Sequence, residues 1–363
     1  MSGGSVNTMV TAPFDHLVYV RVFEGCNLHC QHCFIPANPK KMQSEQFSGI
    51  ADIVSGFAAQ DQKILLQWHG GEPTLLGVDY LVDAIDRVES STKFQWIHGI
   101  QTNLMTYSPE WASVYRKYFG SEVGVSWDWK IRLTSASRPE SFDDFEAKFW
   151  PNFEKLLSDG LNPYLVITGT KPFFERFKNP VELFDFLYDR GVRRVHIERL
   201  TPSGEARLNW GWLGVSNMDW SVYMSRMARA YASWSKNSGK FLSISPLDGI
   251  GASVDRLLAG SAGGYGCLSG VCDTHFHTID ANGYKRGCTA ITAEEPDNKR
   301  AKVIKIVRIA EERSQRRWNC VSCRYKAICS AGCLASDMDD GSDECAGGFR
   351  LFQSMEMLRK AQN

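Results

Sequence analysis

HLVYVRVFEGCNLHCQHC, residues 16–33, carries the two signals on which the fold turns. Leu17 to Phe23 is an apolar, β-branched and aromatic run that reads as a strand. It leads directly into Cys26, Cys30 and Cys33, a C-x3-C-x2-C spacing that offers three thiolates where a four-iron cluster has four corners to fill. One iron is then left open for a substrate.

The remaining cysteines lie in the last hundred residues: Cys267, Cys272 and Cys288, the run Cys320, Cys323, Cys329 and Cys333, and finally Cys345. Those eight match the demand of two fully ligated four-iron clusters, so three, four and four use all 11 cysteines. A disulfide framework is disfavoured, because the N-terminus MSGGSVNTMV has no basic segment leading into an apolar run. Zinc competes for Cys320 to Cys333, since C-x2-C is a common zinc half-site. The N-terminal triplet favours iron and sulfur for both regions.

With 363 residues and 43% apolar content the chain can bury a large core. Forty-one basic and 41 acidic residues cancel, and nothing calls for a nucleic-acid or anionic-membrane partner. No apolar run approaches the roughly 18 residues of a membrane span. The sequence reads as that of a soluble, cytoplasmic protein rich in thiolates.

Strand-like runs alternate with helical patterns, the signature of a parallel sheet with crossover helices. Strands are expected near Leu17–Phe23, Ile64–Trp68, Phe94–Ile100, Val123–Trp127, Tyr164–Thr168 and Val195–Leu200. Helices are expected near Ser44–Ala59, Val78–Ser90, Pro109–Tyr118, Asp143–Ser158, Pro180–Arg190 and Met218–Ser235. Six sequential units predict an α/β chain forming a partial (β/α)6 barrel over residues 1–236, with chemistry at the C-terminal ends of the strands, where the cysteine triplet falls. A linker over 237–264 ends in the Gly- and Ser-rich run AGSAGGYGCLSG, and a cysteine-rich domain over 265–348, with a helix near Lys302–Glu312, precedes a final helix over 349–363.

Together these features resemble radical S-adenosylmethionine enzymes with a C-terminal SPASM domain, the architecture shared by anaerobic sulfatase-maturating enzymes and many peptide maturases. The resemblance covers nearly the whole chain. The family spacing, C-x9-15-G-x4-C followed by C-x2-C-x5-C-x3-C and a distant last Cys, is met by Cys272, Gly283, Cys288, Cys320, Cys323, Cys329, Cys333 and Cys345. By that likeness, Cys267, Cys272, Cys288 and Cys333 would hold one auxiliary iron–sulfur cluster, and Cys320, Cys323, Cys329 and Cys345 a second. With the triplet, the resemblance implies three [4Fe-4S] clusters and S-adenosylmethionine as cofactors.

Gly70-Gly71-Glu72-Pro73 follows the second strand. Two glycines let a backbone approach a ligand closely, and a carboxylate can accept hydrogen bonds from an ammonium group. The resemblance implies that this motif holds the amino group of S-adenosylmethionine. Gln101, Asn103, Ser126 and Asp128 match the family's elements at the next two strand ends, with Ser126 a candidate for the cofactor carboxylate. Arg132, then Arg138, is the expected cationic partner of that carboxylate, an arginine fork matching its geometry.

The resemblance implies cleavage of S-adenosylmethionine to a 5'-deoxyadenosyl radical and a two-electron oxidation of substrate. In sulfatase-maturating enzymes an aspartate that serves as base follows the third ligand of the first auxiliary cluster, whereas Thr289 follows Cys288 here. A second departure is His32, where the family usually carries an aromatic residue. Asp273 and Asp337 are the candidate replacement bases, with His275, His277 and Asp280 also nearby. The expected activity is oxidative crosslinking or other side-chain modification of a ribosomally made precursor peptide. Sulfatase maturation and small-molecule dehydrogenation are the alternatives. A reducing donor such as flavodoxin or ferredoxin is implied. With the triplet starting at residue 26, a separate protein is expected to bind a leader peptide unless the barrel and auxiliary domain hold the peptide directly. The 11 Trp would suit an aromatic peptide-binding surface or could equally be core.

Overall fold

The computed structural model describes residues 14–35, 39–272, 274–288, 290 and 306–362. Strand and helix alternate from the start: β1 (His16–Phe23), α1 (Ser44–Ser48), α2 (Ile50–Ser55), β2 (Lys63–Gly70), α3 (Val78–Glu89), β3 (Gln95–Thr102), α4 (Pro109–Tyr118), β4 (Glu122–Ser126) and α5 (Ser141–Ser158). The pattern continues with β5 (Asn162–Gly169), α6 (Lys171–Arg176), α7 (Pro180–Asp189), β6 (Arg194–Arg199), α8 (Glu205–Leu208), α9 (Trp210–Leu213) and α10 (Asn217–Ser238). Then come β7 (Ser243–Ser245), α11 (Leu247–Leu258), β8 (Phe276–Ile279), β9 (Lys285–Arg286), α12 (Ile306–Asn319) and α13 (Phe349–Gln362).

One nine-stranded sheet runs β7-β6-β5-β4-β3-β2-β1-β8-β9, parallel throughout except at β9. Strand residues alternate between its faces. Val18, Val20 and Val22 are fully buried under the helices, and Tyr19, on the opposite face, feels the charge of Glu198 and lies near Tyr164, both several strands away. The sheet therefore curls into an open barrel with a polar inner wall. Helix α5 shows why the outer layer adheres: Phe142, Phe145, Phe149, Phe153 and Leu156 recur every three or four residues and are all buried. Each such side chain contributes about 1.5–3 kcal/mol.

Two expectations are corrected. The helix expected over Ser44–Ala59 is two short helices meeting at Gly49, a poor helix former. Residues 237–264 are no linker: β7 pairs with β6, and α11 buries Leu247, Ile250 and Val254 and packs against α13. A three-residue Ser-Ile-Ser strand is too short to give an alternation signal. The tryptophans are mostly core; Trp212 and Trp318 are the exposed ones. The chain after α11 returns to the barrel through β8, which pairs with β1 from Leu17↔Phe276 to Val20↔Ile279. No helix among the described residues is long and apolar enough to cross a membrane.

Candidate active site and metal centres

Cys26, Cys30 and Cys33 sit on the loop leaving β1, and its backbone is clamped from both sides. His29 N donates to Leu133 O (2.8 Å) and Gln31 N to Ile131 O (3.0 Å). On the other side Glu205 N donates to Cys33 O (2.7 Å) and Asn209 Nδ2 to Gln31 O (2.9 Å). The 131–133 pairing brackets Arg132, whose side chain bonds Asp128 Oδ2 through Nε (2.7 Å) and reaches Cys30 Sγ through a terminal nitrogen (3.6 Å). Leu28 N (3.4 Å) and Asn103 Nδ2 (3.8 Å) point at Cys26 Sγ. Burial pushes the free Cys26 thiol up to about 11 and raises Cys30 and Cys33 also, so metal binding must displace protons. Donors aimed at the sulfurs suit them to thiolate ligation.

The Gly70–Pro73 segment is built to touch this loop. Gly71 N donates to Phe23 O (2.7 Å) and Glu72 N to Gly25 O (3.0 Å). A Cβ on Gly70, at φ +140°, would lie 2.0 Å from Phe23 O, and one on Gly71 would lie 2.2 Å from Gly25 O, so neither site admits a side chain. Glu72 differs from expectation. Its fully buried carboxylate already accepts from Thr74 N (3.1 Å), Thr74 Oγ1 (2.6 Å), Thr102 Oγ1 (2.8 Å) and Asn103 N (2.6 Å). Burial raises its pKa against those donors. The side chain joins the end of β2 to that of β3, and what the motif leaves for a ligand is backbone. Pro73 opens a 3₁₀ turn, Pro73–Leu76, in which Pro73 and Thr74 are buried.

Gln101 Nε2 donates to Ser126 Oγ (2.7 Å) on the inner wall, and Asn103 Nδ2 donates to Asn27 Oδ1 (2.7 Å) in the cysteine loop. Asp128 is buried, accepts from Arg132 and Thr168 N, and lies 3.4 Å from His32 Nε2. Burial opposes its charge, but Arg132, His32 and the Thr168 N–H outweigh burial and hold its carboxyl low. Burial pushes His32 down to about 4. Asn103, Asp128 and Arg132 thus gather at the triad, while Gln101 and Ser126 pair with each other at the ends of β3 and β4. Arg138 is not at the triad; it pairs with Asp144 (3.0 Å) on the surface.

The other eight cysteines separate into two sets. Cys320, Cys323, Cys329 and Cys345 line one void, closed by Tyr325, Phe349 and Phe352. Cys267 bonds Cys333, an interaction that raises Cys267 and holds Cys333 down at about 6. Cys288 is pushed up to about 12, first by burial, then by Cys333 and, more weakly, Cys272. Buried Arg313 donates to Cys272 Sγ (3.0 Å) and to Ser330 O (2.8 Å) and Gly332 O (2.7 Å). Both sets suit a thiolate-bound cluster, while among the described residues no three His, Cys, Asp or Glu side chains are gathered as ligands of a single metal ion.

Asp273 lies outside the described residues. Asp337 is exposed on the wall of an outer cavity of about 750 Å³ bounded by α6, α9 and α10. Asp280 is structural, accepting from Asn282 N (2.9 Å), Tyr284 N (3.0 Å) and Arg286 Nε (3.0 Å). His275 and His277 pack around His16 at the opposite end of β1 from the triad. The group sequence reasoning missed is Glu198 with His196 on β6, Oε2 to Nε2 2.8 Å. Their i, i+2 spacing on a barrel strand was the available signal.

A three-thiolate loop at the mouth of a barrel defines an enzyme that binds a cluster with one open iron. Residues 20–128 match the model of the Radical SAM superfamily, and the chain carries a radical SAM domain. It is 23% identical over 343 residues to a cysteine-type anaerobic sulfatase-maturating enzyme of Clostridium novyi (strain NT), covering 85% of both chains. Its fold is similar to that of anSMEcpe with bound AdoMet and Cp18Cys peptide, at 17% identity and a TM-score of 0.66 over 95% of this chain and 97% of that one. It is also similar to SuiB of Streptococcus suis bound to its precursor peptide SuiA, at 16% identity and a TM-score of 0.57 over 89% of this chain and 72% of that one. A radical SAM domain implies a four-iron cluster on the triad.

Proposed function

We propose that this chain is a radical SAM maturase that oxidatively modifies, and most simply crosslinks, side chains of a ribosomally made peptide, using three four-iron clusters. The observation that carries it is the pairing of a three-thiolate loop at the end of β1 with two further sets of four cysteines in the region after α11. When bound, the triad cluster and S-adenosylmethionine supply a 5'-deoxyadenosyl radical that removes one hydrogen atom. The chain's own task is positioning: Arg132 and Asp128 orient the loop, Gly70 and Gly71 bring backbone against it, and Gln101 and Ser126 face the barrel interior. Two fully ligated clusters would leave no open iron for substrate and would serve to accept the second electron. A peptide substrate is supported by the peptides bound in the structures of anSMEcpe and SuiB. Reduction would come from a flavodoxin or ferredoxin.

The test is the intact mass of short peptides encoded beside the gene after anaerobic co-expression. Loss of two hydrogens per site, with no fragmentation between the joined residues, is the expected result. Similarity to the Clostridium novyi enzyme over most of both chains favours a second reading, formylglycine formation. Thr289 after Cys288 counts against it. An aldehyde in a Cys-containing sulfatase peptide incubated with the reduced enzyme would select that reading.

A further inference from the structure

Glu198 sits at the C-terminal end of β6, its register partner Thr168 on β5. Its neighbours in the strand, Val195 and Ile197, are buried under the helices, so His196 and Glu198 face the barrel interior. The Glu198 side chain is about half exposed, at 54%, into that space. Five thiol and phenol groups feel its charge: Cys267, Cys288 and Cys333 from the auxiliary region, Tyr265, and Tyr19 from β1. The carboxylate therefore lies between the barrel cavity and one of the two four-cysteine sets.

It is also held in place. His196 Nε2 lies 2.8 Å from Glu198 Oε2, His196 Nδ1 lies 2.7 Å from Ser245 Oγ on β7, and Ser245 Oγ lies 2.6 Å from Tyr265 OH. An accepting carboxylate fixes the Nε2–H tautomer, leaving Nδ1 to accept from Ser245. Glu198 is thus an exposed acceptor backed by an imidazole, the arrangement of a general base and its orienting partner. Asp337, by contrast, lies on the wall of the outer cavity.

We infer that Glu198 takes the proton released when the substrate is oxidised, and that His196 positions it. This rests on the maturase reading above. The substrate first loses a hydrogen atom to the adenosyl radical. The carbon left behind would then lose one electron to a four-iron cluster as it bonds an N, O, S or C atom of a second side chain, and the proton displaced from that atom goes to Glu198. Two electrons and two hydrogens leave the peptide, one hydrogen as an atom and one as a proton.

The experiment compares wild type, Glu198→Gln, Glu198→Asp and His196→Gln, given a peptide that wild type modifies, prepared in perdeuterated medium. The expected result for Glu198→Gln is a fall of about 100-fold in modified peptide per 5'-deoxyadenosine, the usual share of general base catalysis. Deuterium still reaches the 5'-deoxyadenosine, because hydrogen-atom removal precedes the lost step. Glu198→Asp recovers part of the ratio, and His196→Gln shifts its pH profile. An unchanged ratio in Glu198→Gln overturns the inference. A second arm needs no peptide: in a Cys26, Cys30, Cys33→Ala background, an EPR-monitored redox titration should show an auxiliary-cluster midpoint that rises when the Glu198 charge is removed. A midpoint that stays put overturns the placement of Glu198 beside that cluster. If wild type modifies no peptide, it is the maturase reading that has failed, and the titration alone decides for Glu198.

Discussion

Replacing Glu72 by Gln distinguishes a carboxylate that braces the barrel from one that serves the cofactor. The native side chain is fully buried, with three donors on Oε1 and the Asn103 N–H on Oε2 at 2.6 Å. An amide has one acceptor oxygen. Kept in the place of Oε1 with its three donors, it turns its NH2 toward the Asn103 N–H, donor against donor. The change removes one hydrogen bond to a charged group, about 1.5–3 kcal/mol, and leaves a buried backbone N–H without a partner, about 1–3 kcal/mol more. Relief of the buried charge offsets part of this, so we expect a net loss of about 3 kcal/mol.

The assay is urea unfolding of the apoprotein under reducing, anaerobic conditions, paired with S-adenosylmethionine binding to the cluster-loaded protein at a temperature where both variants are folded. The loss should appear as stability, with binding weakened only severalfold as Asn103 shifts against Asn27 and Cys26. A stability loss below about 1 kcal/mol together with abolished binding would refute this reasoning and return Glu72 to the cofactor's amino group.

Replacing Cys26, Cys30 and Cys33 together by Ala should abolish S-adenosylmethionine cleavage while roughly eight irons per chain remain, counted by iron and sulfide analysis. Arg313→Gln removes a cationic donor 3.0 Å from Cys272 Sγ; without it the more negative reduced cluster is less favoured, and the midpoint in an EPR redox titration should fall by on the order of 50 mV, with Arg313→Lys falling less. Asp128 has a depressed pKa, so the stability it contributes is present above the unfolded value of about 4 and is lost as pH falls through the lower folded value. In urea unfolding of the apoprotein, Asp128→Asn should therefore cost most at pH 7, and the gap to wild type should narrow toward pH 3.

The barrel was legible because its signals are local. Alternation in β1 and β5, the proline at the start of α4 and the phenylalanine stripe of α5 each lie within one element. The cysteine triplet and the eight later cysteines were legible by spacing. Elements shorter than their own periodicity were lost, as β7 shows. Glu72 was half legible: the motif stood out, but the Thr102 and Asn103 that claim its carboxylate lie about thirty residues on, across a strand pairing that no local pattern announces. His196 and Glu198 alternate visibly with Val195 and Ile197, but a strand alone does not say which of its faces is the inner one. That is decided when the sheet curls and brings Tyr19 toward Glu198.

One strand ties the centres together. β1 ends at the triad, is bonded on one side to β2, which ends at Gly70, and on the other to β8, which follows Cys272. The ladder with β2 sets the cysteine loop against the Gly70–Pro73 segment, and the ladder with β8 ties the cysteine-rich region to the barrel, without relying on flexible side chains. Such rigidity suits the chemistry, since a primary carbon radical attacks the nearest C–H bond and selectivity then depends on distance. The inner wall is polar where it faces this space, with Gln101 and Ser126 at one end and His196, Glu198 and Ser245 on the far strands. Hydroxyl, amide and carboxylate groups on that wall can hold a substrate by directed hydrogen bonds, which suits a reaction whose selectivity rests on distance.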